Sequence, residues 1–413
     1  MYRILLGLFC FFSFFLSLQA QEAPASDKPT PSVDNRYFDL LIQGQNQFAF
    51  DLLQQLKNRK GNLFFSPYSI GTGFALAAVG AKGQTSIEIQ QALHYSLSLS
   101  PLIGSLDRSL ALAEGKNATQ LFLANAIWMQ EGLPILPAYP LTLKRSFNFD
   151  LAFVDFQHEF VQSVKKINQW TASQTKGKIN QLLNTADVVE NAQLVLTTAI
   201  YMKGAWMHPF DLWQTSRAPF YTRDQYTTQV EMMHSIASYR TWVSPHFTLI
   251  EIPYEAQESG IQLAMIILLP TEASGWQNLE PELNADNWQK WRGGLRPQQL
   301  RLGLPRFRIE EKLDLNPLAQ ALGIKQIFTP QADYSDILED KRVFLNKAVH
   351  KTLIHVDEKG TDAIGAPRIK ANQKARPGEG ENLQEISIDR PFYFFIIDQK
   401  TQLILFMGRV LRP

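Results

Sequence analysis

The spacing of apolar residues predicts amphipathic helices in the first half of the chain. Between Tyr37 and Leu56 the apolar positions recur at roughly the period of an α-helix. Residues 62–70, N-L-F-F-S-P-Y-S-I, indicate a short strand that runs into a second helix, with Ser66 as the N-cap and Pro67 in the first turn. The remaining helical patterns of this half lie at 71–79, 85–93 and 164–183.

Apolar runs rich in aromatic or β-branched residues predict strands, most of them in the second half of the chain. Residues 121–129 and 194–202 are short enough to be central strands. Further predicted strands lie at 247–253, 261–269, 299–309, 349–356 and 391–410. Helices early and strands late, without internal repeats or linkers, favour the α+β class. We therefore expect a single domain with helices packed around a large central mixed β-sheet.

The composition is sufficient for a large hydrophobic core, and the balanced charges produce no strong overall electrostatic field. The chain has 413 residues, of which 45% are hydrophobic, and its 40 Lys and Arg residues almost cancel its 39 Asp and Glu residues. A balanced charge does not favour binding to nucleic acid or to an anionic membrane. Partners must therefore be recognised locally.

The N-terminal residues have the pattern of a secretory leader. Residues 1–20 contain one basic residue, an apolar run from Ile4 to Leu18 and the small residue Ala20 at the expected cleavage position. A membrane anchor is the rival interpretation, but the run is shorter than the ~20 residues that a span needs. Residues 21–36 are rich in Pro and Ser and predict a flexible tail, so the folded domain should cover 37–413. The predicted location is extracellular, or periplasmic in a bacterium.

The single cysteine and the single N-glycosylation sequon give little information about function. Cys10 is the only cysteine and lies in the leader, so the mature chain would have no disulfide. Asn117 begins the N-glycosylation sequon N-A-T, which would be used only in a eukaryote.

Catalytic, metal and cofactor chemistry finds little support. A Ser–His–acid hydrolase would need a nucleophile motif, and no G-x-S-x-G elbow is present. His350 and His355 would lie on opposite faces of one strand, and the chain has no H-E-x-x-H motif or cysteine pair for a metal. No nucleotide-binding loop is present either. We expect neither enzyme activity nor a cofactor or metal.

Residues 358–374, E-K-G-T-D-A-I-G-A-P-R-I-K-A-N-Q-K, contain the glycine and proline residues that are typical of a loop. Their side chains nevertheless alternate between two faces as in a strand. At a period of two, one face carries Thr361, Ala363, Gly365 and other small residues, whereas the opposite face is largely polar. The stretch that follows, A-R-P-G-E-G-E-N, has no β-branched or aromatic residue to hold a sheet. Such a segment could be either a loop or a strand, which suggests a switch.

This segment and ten others resemble the serpin family, in serpin order. Besides D-E-K-G-T-D-A (357–363), the matching segments include N-L-F-F-S-P-Y-S-I (62–70), A-N-A-I-W (124–128), A-I-Y-M-K-G-A-W (199–206), L-P-R-F-R-I-E (304–310), A-V-H-K-T (348–352) and I-L-F-M-G-R-V (404–410). The resemblance implies one serpin-like domain with smaller additional sheets and an exposed reactive loop at about 358–390.

The resemblance implies a hinge at the start of this loop, made of residues small enough to slide into a formed sheet. The matching positions are Glu358, Gly360, Thr361, Ala363, Gly365 and Ala366. Pro367 departs from this pattern, because a central strand needs the N–H that proline lacks.

The resemblance also implies a reactive bond sixteen residues after the hinge glutamate, at Lys374-Ala375. That length of strand reaches roughly 50 Å, which is enough to carry a protease across a sheet. A lysine at this position suits a trypsin-like protease with a carboxylate in its specificity pocket. Residues 375–390 are longer than the family pattern, which leaves open a bond further along.

A second implied site lies beneath the point where the sheet opens. Ser66, Ser69 and His350 match a hydrogen-bonded cluster of the family, in which Thr198 replaces the usual asparagine. Since a hydroxyl lacks the second donor of an amide, the cluster must be wired differently here. Trp206 matches the tryptophan near the loop entry, where it either gates the loop or is a plain core aromatic.

These features together predict a secreted, monomeric inhibitor of a trypsin-like serine protease that acts as a suicide substrate. The alternative is a non-inhibitory serpin with a carrier, chaperone or storage role. Pro367 favours this alternative. Lys57, Arg59 and Lys60 could contact a polyanion activator, although they are also typical of a solvated helix end.

Overall fold

The computed structural model describes residues 35–111, 119–147, 151–222, 226–256, 261–338, 343–362 and 383–413. The predicted leader, nearly all of the predicted tail and Asn117 lie outside the described residues. So do Ala363, Gly365, Ala366, Pro367 and the predicted reactive bond Lys374-Ala375.

The predicted helices of the first half are present, with small shifts at their ends. Helix α1 begins at Asn35, so the last two residues of the predicted tail belong to it. Ser66 caps α2 by accepting a hydrogen bond from the Ser69 N–H, and Pro67 is the first helical residue, as the sequence predicts. The described helices are α1 (Asn35–Leu56), α2 (Pro67–Ala78), α3 (Gly83–Leu93), α4 (Ser100–Ala111), α5 (Ala138–Phe147), α6 (Phe160–Gln174), α7 (Trp276–Leu279), α8 (Ala285–Gly293) and α9 (Leu315–Ala321).

Two mixed sheets organise the strands, which confirms the α+β prediction. The nine-stranded sheet has the order β1-β15-β14-β8-β7-β6-β9-β13, with β5 paired to β6, and the six-stranded sheet has the order β10-β11-β12-β4-β2-β3. The strands are β1 (Leu63–Phe65), β2 (Gln120–Gln130), β3 (Ala152–Val154), β4 (Leu194–Ala205), β5 (Asp211–Tyr221), β6 (Thr227–Val243), β7 (Phe247–Pro253), β8 (Leu263–Pro270), β9 (Arg296–Pro305), β10 (Phe307–Asp314), β11 (Leu345–Asp357), β12 (Gly360–Thr361), β13 (Gln384–Ser387), β14 (Phe392–Asp398) and β15 (Ile404–Val410).

Three predicted elements differ from the structure. The predicted helix 164–183 stops at Gln174, because Lys176 and Gly177 adopt positive φ angles of 53° and 74° that a right-handed helix cannot continue. The predicted strand 299–309 is two strands, since the chain passes at Arg306 from the nine-stranded to the six-stranded sheet. The predicted strand 391–410 is likewise split by the turn that includes Gln402, whose φ is +69°.

The six-stranded sheet is buried on both faces. On one face Ile200 and Met202 of β4 pack in a cluster with residues of the nine-stranded sheet such as Met265. On the other face Val164 and Ile167 of α6, together with apolar residues that follow α6, pack on β2, β4 and β11. A strand added to this sheet would therefore enter a closed apolar environment.

No helix within the described ranges is both long and apolar enough to cross a bilayer.

Candidate functional site at the head of the six-stranded sheet

The predicted hinge begins as a strand between β11 and β4. Gly360 and Thr361 pair antiparallel with Asp357 and Val356 of β11, and on the other side they pair antiparallel with Ala205 and Gly204 of β4. Below this point β11 and β4 pair directly and in parallel, from Leu345 and Leu194 to Leu353 and Tyr201. We call this direct β11–β4 pairing the seam. The strand β12 thus occupies the fork at the upper end of the seam.

Gly360 is required by the narrowness of this fork. Its φ is +155°, and a Cβ at this position would lie 1.9 Å from the backbone oxygen of Gly204. No side chain fits at that distance. The glycine that the sequence motif singles out therefore serves the close approach of three backbones.

Thr361 points into the core side of the sheet. It is 1% exposed, and its hydroxyl lies 2.7 Å from the Tyr254 hydroxyl. Tyr254 in turn stacks on Trp206 at 4.4 Å between ring centroids. The indole N–H of Trp206 donates to the Asp357 carbonyl at 2.9 Å. Trp206 is therefore a buried core aromatic that also contacts the end of β11 beside β12, and its role at the loop entry stays a prediction.

Glu358 anchors the base of the loop through an ion pair between its buried carboxylate and the partly exposed Arg306. The Arg306 Nε donates to both carboxylate oxygens, at 2.9 and 3.0 Å, and the Thr215 hydroxyl donates to Oε1 at 2.6 Å. Burial acts to raise the pKa of Glu358, but the hydrogen bonds from Arg306 and Thr215 outweigh it and hold the pKa below its usual value. A charged Glu358 thus ties the loop to β5 and to the junction between β9 and β10.

The predicted cluster beneath the seam is assembled, with every member in one hydrogen-bonded chain. The Ser66 N–H donates to His350 Nε2 at 3.1 Å, which leaves the proton on Nδ1 to meet the Thr198 hydroxyl at 2.9 Å. The Thr198 hydroxyl can then donate to the Val349 carbonyl, at 3.3 Å. Thr198 thus links β4 to β11 across the seam.

The amide function missing at Thr198 lies one strand away, at Asn125 of β2. Its Oδ1 accepts from the Ser69 hydroxyl at 2.8 Å, and its Nδ2 donates to the Ser69 carbonyl at 3.2 Å. Asn125 and Thr198 face each other in the β2–β4 register. Sequence reasoning overlooked Asn125, although it stands inside the motif A-N-A-I-W.

The cluster is not arranged as a nucleophile with its base. The Ser66 hydroxyl donates to the Leu405 carbonyl at 2.6 Å, and only the backbone of Ser66 contacts His350. Burial lowers the pKa of His350 to about 3, against a smaller opposite effect of the hydrogen bond with Thr198. A base this weak is poorly suited to general base catalysis near neutral pH.

The buried neutral His350 predicts a specific loss of stability in acid. Its folded-state pKa of about 3 lies below an unfolded value of about 6.5, so its contribution is complete above pH ~6.5 and is lost as the pH falls towards 3. Between pH 6.5 and 4 the free energy of unfolding should fall by up to about 1.4 kcal/mol per pH unit more than in the variant His350→Gln. Urea unfolding of both proteins over this range measures the difference, and parallel pH profiles would contradict it.

Among the described residues, no three His, Cys, Asp or Glu side chains lie close enough to share a metal ion. At the end of α1, Arg59 pairs with Glu311 at 2.7 Å and the Lys57 ammonium donates to Gln54 at 3.2 Å. Two of the three basic residues thus have partners within the protein, and the polyanion activator stays a hypothesis.

Comparisons with known proteins show which sequences and structures this chain resembles. The family profile described as Serpin (serine protease inhibitor) matches residues 43–413. Leukocyte elastase inhibitor A of Mus musculus is 34% identical over 386 residues, which cover 90% of this chain and 99% of the mouse protein. The structure is similar to that of uncleaved ovalbumin (TM-score 0.81, 27% identity, 90% of this chain and 100% of that one). It is equally similar to human thyroxine-binding globulin in complex with its hormone (TM-score 0.82, 26% identity, 91% and 99%).

Proposed function

The chain belongs to the serpin family of serine protease inhibitors, and from this premise we propose that it inhibits a trypsin-like protease as a suicide substrate. The protease serine attacks the carbonyl carbon of Lys374, the Lys374-Ala375 amide breaks, and Ala375 leaves as an amine. The acyl-enzyme then holds the protease on the cut end of the loop. Insertion of that loop into the six-stranded sheet moves the protease before water hydrolyses the ester.

The observation that carries this proposal is the position of β12 at the fork. Gly360 and Thr361 already pair on both sides, with Thr361 turned inward. Extending β12 downward would replace the parallel β11–β4 pairing by two antiparallel pairings. Each added residue brings new ladder hydrogen bonds, and antiparallel pairs are slightly more stable than parallel ones. Insertion is therefore downhill once cleavage frees the loop.

The proposed target class rests on Lys374. The mouse relative is named as an inhibitor of an elastase, and elastases have a small specificity pocket. A lysine is long and cationic, and it matches a pocket with a carboxylate at its base. We therefore propose a trypsin-like target for this chain, as a monomeric inhibitor in a one-to-one covalent complex.

The proposed compartment is extracellular, or periplasmic in a bacterial source. Residues 1–20 have the composition of a cleavable leader, and the mature chain after Ala20 has no cysteine that oxidation could damage. N-terminal sequencing of the exported protein, with a start at Gln21, is the direct check.

A non-inhibitory role is the second candidate, because of Pro367. A proline in a central strand lacks a ladder N–H, which would weaken the inserted loop at that point. Such a protein would be cleaved in the loop without trapping the protease.

One experiment separates these functions. The protein is mixed with trypsin, and the products are run on a denaturing gel. An inhibitor gives a band that survives SDS at the combined mass of protease and cut inhibitor, together with a small C-terminal fragment that begins at Ala375. Complete cleavage with fully active trypsin would contradict inhibition, and a fragment that begins after Gly378 would move the reactive bond.

A further inference from the structure

Asp362 is the residue at which the chain leaves the fork. Its N–H still donates to the His355 carbonyl at 2.9 Å, so the ladder with β11 includes this group. Its φ is +46°, in the left-handed region that a non-glycine residue adopts at a cost of about 1 kcal/mol. Continuing β12 requires an extended backbone, with φ near −120° to −140°. Asp362 therefore has to change conformation before any further residue can enter the sheet.

An ion pair holds Asp362 in this exit conformation. Lys178 Nζ lies 3.2 Å from Oδ1, with side-chain exposures of 27% for the lysine and 8% for the aspartate. The other carboxylate oxygen, Oδ2, accepts no hydrogen bond from any described residue. Lys178 thus supplies the side-chain hydrogen bond to this buried carboxylate.

Lys178 is itself held in place by an aromatic pair. Its ammonium lies 5.5 Å from the ring centroid of Tyr201 on β4, within the range of a cation–π contact. Tyr201 stacks on Phe122 of β2 at 5.6 Å, and Lys176 lies over Phe122 at 5.8 Å. The lysine therefore meets Asp362 from a fixed position on the outer face of the sheet.

Lys178 belongs to a segment that lies across the seam. We call residues 175–188, between α6 and β4, the covering segment. Its residues Ile179, Leu182 and Leu183 pack in one cluster with Ala199 of β4 and Val349 of β11. A strand that inserts between β4 and β11 must pass beneath this segment.

The covering segment is tied to the sheet at its lower end as well. Lys351 of β11 donates to the Gln181 carbonyl at 2.7 Å, and Lys312 of β10 pairs with Asp187. These ties end on strands that stay in the sheet. The Lys178–Asp362 pair, in contrast, ends on the residue that must move first.

We propose that the Lys178–Asp362 ion pair is a latch that joins the covering segment to the first residue outside the fork, and that breaking it is the first step of loop insertion. The proposal rests on the inhibitory function above. Turning φ of Asp362 to the extended region rotates its Cβ about the N–Cα bond, so the contact that Lys178 makes in the exit conformation must break before the strand can continue. The same event removes the tie between the covering segment and the loop. Lys178 is thus a positioning residue that sets the delay before insertion.

Replacing Lys178 and replacing Asp362 should change the insertion rate by different amounts, because the aspartate is the more deeply buried of the two. Lys178→Met keeps the length of the side chain but leaves the buried Asp362 carboxylate without its cation, so the exit conformation loses the pair and retains an unpaired charge. Asp362→Asn removes the charge together with the pair, and its effect should be smaller. In the double variant the buried charge at position 362 is already absent, so Lys178→Met has no further effect on the exit conformation. The double variant should therefore insert at the same rate as Asp362→Asn.

The insertion rate is measured in the full-length protein with a fluorophore on a cysteine introduced as Arg368→Cys, a position that the period of two in the sequence assigns to the face opposite Thr361, after mixing with excess trypsin. We expect Lys178→Met to insert about fivefold faster than the parent protein, the size of a modest ion pair. Lys178→Arg, which keeps the cation, should restore the parent rate. Lys351→Met is the matched control: its effect, whatever its size, should add to that of Asp362→Asn, because that lysine does not contact the loop.

Equal insertion rates in the parent, Lys178→Met and Asp362→Asn proteins would overturn the latch, and so would strictly additive effects of these two changes. Thermal melting of each variant shows whether the fold is intact. If the parent protein itself gives no fluorescence change and no SDS-stable complex, the inhibitory function has failed and the latch fails with it. If the parent protein inserts its loop and the variants insert at the same rate, the latch is refuted but the inhibitory function is not.

Discussion

Replacing Thr361 with arginine is expected to convert the inhibitor into a substrate. Thr361 is 1% exposed and shares a hydrogen bond with the buried hydroxyl of Tyr254. In the uncut protein the fork can open at this position and leave an arginine in solvent, whereas an inserted strand must hold it in the apolar space between the two sheets, at a cost of about 3 kcal/mol or more. Because every ~1.4 kcal/mol slows a step tenfold, insertion would slow by about a hundredfold or more. Hydrolysis of the acyl-enzyme would then win the race.

The measurement is the stoichiometry of inhibition, which is the number of inhibitor molecules consumed per protease trapped. It should rise steeply for Thr361→Arg, while the rate of loop cleavage stays unchanged. Thr361→Ser keeps the hydroxyl and should trap protease like the parent protein, whereas Thr361→Val isolates the loss of the Tyr254 hydrogen bond. An unchanged stoichiometry for Thr361→Arg would show that this residue does not end on the buried side of an inserted strand.

Replacing Lys374 with alanine is expected to lower the association rate with trypsin by at least about thirtyfold. The change removes the one cation that the proposed bond offers to a carboxylate in the protease pocket, and truncating a buried charge pair costs at least about 2 to 5 kcal/mol. The hinge at Gly360 and Thr361 is untouched. The melting temperature of the uncut protein should therefore stay within a degree or two of the parent value.

Two matched variants make this test specific. Lys374→Arg keeps a cation of suitable length and should retain inhibition of trypsin. Lys370→Ala removes the neighbouring lysine of the same segment, only twelve residues after Glu358, and should leave inhibition intact. The reverse pattern, with loss of inhibition in Lys370→Ala alone, would place the reactive bond elsewhere.

Local patterns were enough to predict most elements of the six-stranded sheet. The apolar runs that form β2, β4 and β11 are continuous because both faces of this sheet are buried. Strands β5 and β6 were not predicted. Strand β5 lies at an edge of its sheet and is mostly exposed, so its sequence shows no regular alternation of apolar and polar positions. The residues after Gln174 keep a helical spacing of apolar positions, yet these pack on the sheet from an irregular segment.

The residues of the site were predictable only where a short motif contains them. Glu358, Gly360 and Thr361 stand in one motif, but their partners do not. Arg306, Thr215, Tyr254 and Lys178 lie between about 50 and 185 positions away along the chain, and only the tertiary fold brings them to the fork. The wiring around Thr198 was likewise open until the register placed Asn125 opposite it.

The central claim is that the loop enters the six-stranded sheet once it is cut. The most direct measurement is the thermal melting of the intact protein and of the protein cleaved within residues 363–382, under the same conditions. Insertion adds a full strand between β11 and β4, so the cleaved protein should melt at a much higher temperature, and cleaved Thr361→Arg should gain far less. Equal melting temperatures of the intact and cleaved parent protein would contradict the account.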